Sequence, residues 1–241
     1  MTKIVATSDL HGFLPEIPEC DLLLIAGDVC PVWNHDRNFQ ADWLRGEFSD
    51  WMRAQPARST VWIGGNHDFV LQDWRGTKNI QLPHGLKDVS GIYLDNSWIH
   101  LVDDDLKIWG SPMSNTFGRW AFMTSEGELG DIWRTIPRDI DILMVHGPMW
   151  GLGDFVPWPR YDDWGNFLGL DRENGEHVGS STLANQLLYD EWPNLKLVIT
   201  GHIHEAYGKY SLKGFDIYSN SHVSGAYPEY VPERDPIVIE L

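Results

Sequence analysis

The chemistry-bearing residues of this chain sit in short, glycine-marked segments: Asp9-Leu10-His11-Gly12, Gly27-Asp28, Gly65-Asn66-His67-Asp68, His146-Gly147 and Gly201-His202-Ile203-His204. Carboxylate, imidazole and one amide oxygen, with no thiolate among them, form a hard-to-borderline donor set. Such a set suits Mn, Fe, Zn or a related divalent ion. Asp9 and His11, two residues apart, can grip one ion from a single extended loop. His202 and His204 share that spacing, so their side chains can point the same way towards neighbouring ions. A carboxylate with two oxygens, such as Asp28, is the natural bridge for ions about 3.5–4 Å apart. Taken singly, each signal is ordinary turn chemistry. Together they make seven metal-competent positions: Asp9, His11, Asp28, Asn66, His146, His202 and His204.

What positions them is a set of short apolar runs at 4–7, 22–26, 60–64, 142–145 and 197–200. These read as strands covered on both faces, because they are continuous rather than alternating. Each donor segment follows the carboxyl end of one run, the edge where open α/β sheets bind ligands. The spacing predicts a helix over 36–55, where Phe39, Trp43, Leu44, Phe48, Trp51 and Met52 recur at intervals suited to one buried face. A second helix is expected over 181–192, opened by serine and threonine caps and stopped before Pro193, and a shorter one over 125–135. Residues 92–110 read as antiparallel hairpins. Asp103–Asp105 lie in a solvated turn rather than a calcium loop, since no ligand-spaced segment follows. Tyrosine-rich hairpins and a closing apolar strand fill 207–241. Residues 149–176, rich in Gly, Pro, Trp and Asp, show no sustained periodicity and read as a long functional or mobile loop. No linker divides the chain, so one domain over 1–241 is expected.

Composition narrows the partners. The chain has 241 residues, 18 Lys+Arg against 35 Asp+Glu and a formal net charge of −17. That acidity argues against duplex nucleic acid, whose binding is driven by cations on phosphates, and against a polymer nuclease. It leaves room for a small anionic substrate when metal ions supply positive charge locally. Cys20 and Cys30 are the only cysteines, which points away from a disulfide framework and towards a reducing, cytoplasmic compartment. The first residues reach Asp9 too soon for a signal-peptide apolar core, and no apolar run has the ~20 residues of a membrane helix. Oligomeric state is not legible.

Asp9-x-His11, Gly27-Asp28, Gly65-Asn66-His67-Asp68, His146 and Gly201-His202-x-His204 together resemble the signature of the calcineurin-like metallophosphoesterases. The stretches Trp109-Gly-Ser-Pro112, Phe117-Gly-Arg-Trp-Ala-Phe122, His146-Gly-Pro148, Gly175-Glu-His-Val-Gly179 and Pro236-Ile-Val-Ile-Glu240 resemble its metallophosphoesterase-domain-containing branch. That branch includes class III cyclic nucleotide phosphodiesterase-like proteins. Phosphoprotein phosphatases carry a Gly-Asp-x-x-Asp-Arg-Gly loop, whereas Val-Cys-Pro-Val follows Asp28 here.

The resemblance implies an α/β fold of two mixed β-sheets packed as a sandwich and flanked by helices. It implies two divalent metal ions, Mn first, with Fe, Zn, Co or Ni as other options. One would sit on Asp9, His11, Asp28 and His204, the other on Asp28, Asn66, His146 and His202. His67, with Asn66, would serve catalysis by stabilising the transition state or protonating the leaving group. The implied activity is hydrolysis of a small phosphodiester, a cyclic nucleotide among the options, by attack of a metal-bridging hydroxide. A phosphomonoesterase or nucleotidase and a non-catalytic nucleotide-binding protein are the alternatives.

Other residues carry weaker signals. Asp68 either orients His67 or caps the following helix. His177 is expected at a helix start rather than on a metal, and Asn220 and His222 in structural roles. His35, His84 and His100 have no spacing signal and no assigned role. Of 13 tryptophans, Trp43, Trp51 and Trp62 fit core positions. Trp150, Trp158 and Trp164 occupy the long loop, where they either pack it down or stack on a nucleobase or aromatic leaving group. Trp150 and Trp158 are therefore candidate substrate contacts. Arg119 and Arg160 are candidate phosphate contacts by charge.

Overall fold

In the computed structural model, which describes residues 1–75, 88–225 and 230–241, the expected apolar runs all lie in strands, Gly64 aside. His84 lies outside the described residues. Lys3–Thr7, Cys20–Ala26, Ala57–Ile63 and Ile92–Tyr93 run parallel in a 5-stranded sheet, closed at one edge by antiparallel Ile237–Glu240. A 6-stranded sheet places Ile142–Val145 between Leu106–Ser111 and Leu197–Thr200, all parallel, with antiparallel hairpin strands at both edges. Both sheets are mixed, as expected.

Strand alternation explains how the layers meet. Ile4, Leu22, Leu24 and Ile63 of the first sheet share one buried cluster with Ile108, Ile142, Met144 and Ile199 of the second. Their neighbours Val5, Leu23, Trp62, Leu143 and Val198 point the other way, into clusters with the helices. A central strand here is covered on both faces, so it must be apolar at every position. No helix among the described residues is long and apolar enough to cross a membrane.

The predicted helix over 36–55 is three pieces: Arg37–Trp43, a π-turn at Leu44–Phe48, and Ser49–Ala54. Asp36 opens it, its carboxylate accepting from the backbone N–H of Asn38 and Phe39 at 3.0 Å each. The wide turn puts Trp43 and Phe48, five residues apart, in a stack at 5.4 Å, which a regular helix would not allow. The second helix is Ser181–Tyr189, shorter than expected. Asp190 leaves the helical region, and the Trp192 indole folds back to donate to the Gln186 carbonyl at 3.2 Å. Glu126–Trp133 begins with a Ser125/Glu128 capping box.

Residues 149–176 are not an irregular loop. Phe155–Tyr161 and Phe167–His177 pair as an antiparallel hairpin, here called the arm. Its turn is locked by Asp162, whose carboxylate accepts from the N–H of Trp164 at 2.9 Å and of Asn166 at 2.8 Å. Register shifts at Pro157/Trp158 and Arg160/Tyr161 break the two-residue period, so the strands carry no visible alternation. At the arm's base Asp154, fully buried, accepts from His177 Nδ1 at 2.7 Å and from the Gly179 N–H at 3.0 Å. His177 thus ends a strand and anchors the arm. Ser180 caps the next helix instead, accepting from the Leu183 N–H at 3.1 Å.

Candidate metal centre

The donor segments are tied to one another by backbone hydrogen bonds at the strand ends. The Asp9 and His11 N–H groups donate to the Gly27 and Asp28 carbonyls at 2.9 Å each, and the Gly201 N–H donates to the His146 carbonyl at 3.1 Å. Asp9, His11, Asp28 and His202 all adopt positive φ, at 50°, 47°, 52° and 72°. Side chains are rarely held there unless the surroundings enforce it, at a cost of about 1–3 kcal/mol each. The result turns these donors away from the sheet and towards a common point. At Gly65 a Cβ would collide with the Asp28 carboxylate and backbone, so a bare backbone is required for the segments to approach.

Asp28 stands between two histidines. Its Oδ2 lies 3.8 Å from His11 Nε2 and 3.4 Å from His146 Nε2, while Oδ1 accepts from the His67 N–H at 2.7 Å. On the other flank His204 Nε2 is 3.6 Å from Asp9 Oδ1 and 3.3 Å from His11 Nε2. The His202 N–H donates to both Asp9 oxygens, at 3.0 and 3.1 Å, and its ring lies 5.1 Å from that of His146. Asn66 Oδ1 is 2.9 Å from His146 Nε2. All seven predicted positions therefore converge, five of them in triads of donor atoms within 4.8 Å of one another: Asp9, His11 and His204; His11, Asp28 and His67; Asp9, Asp28 and His146. His67 joins a triad although the sequence placed it outside the ligand set.

The electrostatics fit cations. His146 Nδ1 faces the Ala26 carbonyl at 2.9 Å, which can only accept, so this nitrogen carries a proton. Nε2 points at two acceptors, Asp28 Oδ2 at 3.4 Å and Asn66 Oδ1 at 2.9 Å, so the ring is held as an imidazolium whose positive charge a metal cation can replace. Burial opposes charge on His146, yet the Asp28 and Asp9 carboxylates outweigh it and hold the imidazole at about 9. Burial also opposes the Asp9 charge, but His204 and His146 prevail and keep its carboxyl at about 2. His202 is driven down to about 3 by burial and then by His146. The buried His11 Nδ1 has no hydrogen-bond partner among the described residues. A buried carboxylate pair surrounded by imidazole nitrogens, one of them orphaned, is well matched to divalent ions.

Around His67 lie residues that spacing could not reveal. His67 Nδ1 is 3.3 Å from His35 Nε2, its ring lies 4.5 Å from that of Trp120, and its carbonyl accepts from Gln40 Nε2 at 2.8 Å. Tyr230 lays its ring 4.4 Å from His11 and 4.7 Å from His204, and Phe117 lies 5.3 Å from His202. Phe117 and Trp120 belong to a quoted motif, which was the only available signal. His35 and Tyr230 had none.

Asp68 stands at the start of the helix Phe69–Arg75, its carbonyl accepting from the Leu71 N–H at 3.1 Å, but its side chain is engaged elsewhere. Its carboxylate accepts from the N–H groups of Cys30 and Gly65 at 2.8 Å each and of Val29 at 3.3 Å. It thereby staples the Asp28 loop to the Asn66 loop. Burial, and then the Asp28 charge, push its carboxyl up to about 6 against the pull of those donors. Asp68→Asn places an amide N–H₂ against backbone donors, so a loss of about 1–3 kcal/mol is expected, read by urea unfolding at pH 7.5. Unchanged stability would show that the staple is dispensable.

The predicted substrate contacts are not gathered in the same way. Arg119 is exposed, on the loop between Phe117 and Trp120, at the rim of the cluster. Trp150 is 53% exposed and packs near His177 at 5.4 Å, at the arm's base. Trp158 is exposed on the arm and lines neither the cavity beside His204 nor the one beside His202. The arm's register pairs Trp158 with Asp171, whereas Tyr161 and Phe167 line the cavity beside His204. Asn220 donates to the Tyr218 carbonyl at 2.7 Å and His222 Nδ1 meets the Arg234 carbonyl at 2.7 Å, both holding backbone.

Two mixed sheets bring carboxylates and imidazoles together at their carboxyl ends, the donor arrangement that a pair of divalent ions requires. Residues 2–206 match the sequence model of the calcineurin-like phosphoesterases, and the chain belongs to that family. The family depends on two metals and acts on small phosphate esters. The chain is 29% identical over 263 residues to metallophosphoesterase domain-containing protein 1 of Homo sapiens and of Mus musculus, covering 100% of this chain and 71% of theirs. It is also 30% identical over 217 residues to a probable rhamnogalacturonate lyase C of Emericella nidulans, covering 87% of this chain and 18% of that protein.

Proposed function

We propose that the chain is a single-domain cytoplasmic phosphodiesterase that uses two divalent ions, Mn first, on a small phosphodiester. The observation that carries this reading is Asp28 Oδ2, poised between His11 Nε2 at 3.8 Å and His146 Nε2 at 3.4 Å. Asp9, His11, Asp28 and His204 would hold one ion, and Asp28, Asn66, His146 and His202 the other. Bound there, the ions supply a water-derived nucleophile at neutral pH and neutralise phosphoryl charge.

The chain's own groups do the rest. Asn66, fixed against His146, offers its amide to an equatorial phosphoryl oxygen. His67, steadied by His35 and Trp120, stands beside Asp28 to give a proton to the departing alkoxide. The diester preference is supported by two cavities, of about 880 and 480 Å³, that include His204 and His202 respectively. A diester has two organic groups to seat, and a monoester has one. The two buried free thiols, Cys20 and Cys30, suit a reducing compartment.

Metal-stripped protein reconstituted with Mn is expected to hydrolyse bis(p-nitrophenyl) phosphate at least tenfold better than p-nitrophenyl phosphate, with both rates abolished by a chelator. Preference for the monoester would make it a phosphomonoesterase or nucleotidase. Absence of turnover with metals bound would make it a binding protein.

A further inference from the structure

The cavity of about 880 Å³ beside His204 has a wall that contributes nothing to the metal cluster. That wall is the arm. Tyr161 and Phe167 pair across it and meet edge-on at 6.0 Å, with Leu170 close by on the same wall. Both rings stand open to solvent, 59% and 60% exposed, although the arm's turn and base are fixed by buried or locked carboxylates. Aromatic rings held in the open on a braced hairpin, facing a cavity of small-molecule size, gain most by covering a ligand. The facing wall is polar. Glu233 and Arg234 belong to it, and the Arg234 guanidinium is already fixed on the Val223 carbonyl at 2.7 Å.

His204 joins this cavity to the cluster, so a phosphate seated on the metals would direct one substituent into it. His67, which serves the departing oxygen, is not part of the lining. The cavity therefore receives the alcohol that stays on phosphorus. We propose that the arm forms a subsite for a flat aromatic group on that retained alcohol, packed against Tyr161 and Phe167. This rests on the phosphodiesterase reading and adds a specificity element to it. It also moves the stacking role from Trp158 to residues the sequence did not single out.

Diesters that share a p-nitrophenolate leaving group separate the subsite from the chemistry. Methyl, phenyl and thymidine-5′ p-nitrophenyl phosphates would be compared with Mn-reconstituted enzyme. Stacking of one ring predicts kcat/KM about tenfold or more higher for the phenyl or thymidine ester than for the methyl ester. Whichever of the two is preferred separates a simple aryl group from a nucleoside. In Tyr161→Ala/Phe167→Ala that preference should fall to within about twofold, with the methyl ester unaffected, because both side chains are exposed and the fold does not need them. Phe167→Tyr should retain the preference. Equal rates on all three esters in the parent protein, or a preference untouched by the double substitution, would overturn the subsite alone. Absence of chelator-sensitive turnover on every ester would overturn the phosphodiesterase reading and the subsite with it.

Discussion

Asp28→Asn is expected to abolish turnover and, with it, the stabilisation that metal confers. Asp28 is 2% exposed, touches the His11 and His146 nitrogens through one oxygen and orders the His67 backbone through the other. The amide can still accept from the His67 N–H, so local geometry survives while the bridging charge is lost. A fall in kcat/KM of at least ~10³, on the order of 4 kcal/mol in transition-state stabilisation, should follow. The second readout is thermal. Metal at 1,000 times its Kd stabilises a folded protein by about 4 kcal/mol. For a chain of this size that raises Tm on the order of 10 °C. The parent protein should show that rise with Mn and the variant should not. An intact thermal response in Asp28→Asn would remove Asp28 from the metal centre.

His67→Ala should separate chemistry from metal binding. The imidazole is 5% exposed and packed between the His11 and Trp120 rings, at centroid distances of 4.8 and 4.5 Å. Losing a positioned proton donor costs about 10²–10⁴ in kcat, while the Mn-induced rise in Tm should persist. His35→Phe should lower kcat less, on the order of tenfold, with KM unchanged, and His35→Gln should recover part of it by restoring a hydrogen-bond partner for Nδ1. A different result is informative: if His67→Ala loses the thermal response, His67 is itself a ligand, as its triad with His11 and Asp28 permits.

The parts of the fold that were legible are those where neighbours in sequence settle the outcome. The run Ile142–Val145 had to be a doubly covered strand because it is apolar at every position. Ser125 and Glu128 had to start a helix because each satisfies the other's backbone N–H. The arm was missed for an equally local reason: prolines and register shifts erase the alternation by which an exposed hairpin is recognised. The π-turn at Leu44–Phe48 was missed because Leu44 and Phe48, four residues apart, also fit the face of a regular helix.

The sequence by itself determined the donor types, their absence of thiolate, and their placement at the carboxyl ends of strands, because residue identity and strand periodicity are local properties. Which atoms meet was decided only by tertiary structure. Asp28 comes between His11 and His146, and Asp68 crosses to the Asp28 loop, because the positive-φ loops and the two-sheet packing bring together strand ends far apart along the chain. His35 beside His67, Tyr230 over His11 and Tyr161 facing the His204 cavity belong to the same class of fact. No spacing encodes such contacts, since each depends on where two separately built surfaces come to rest.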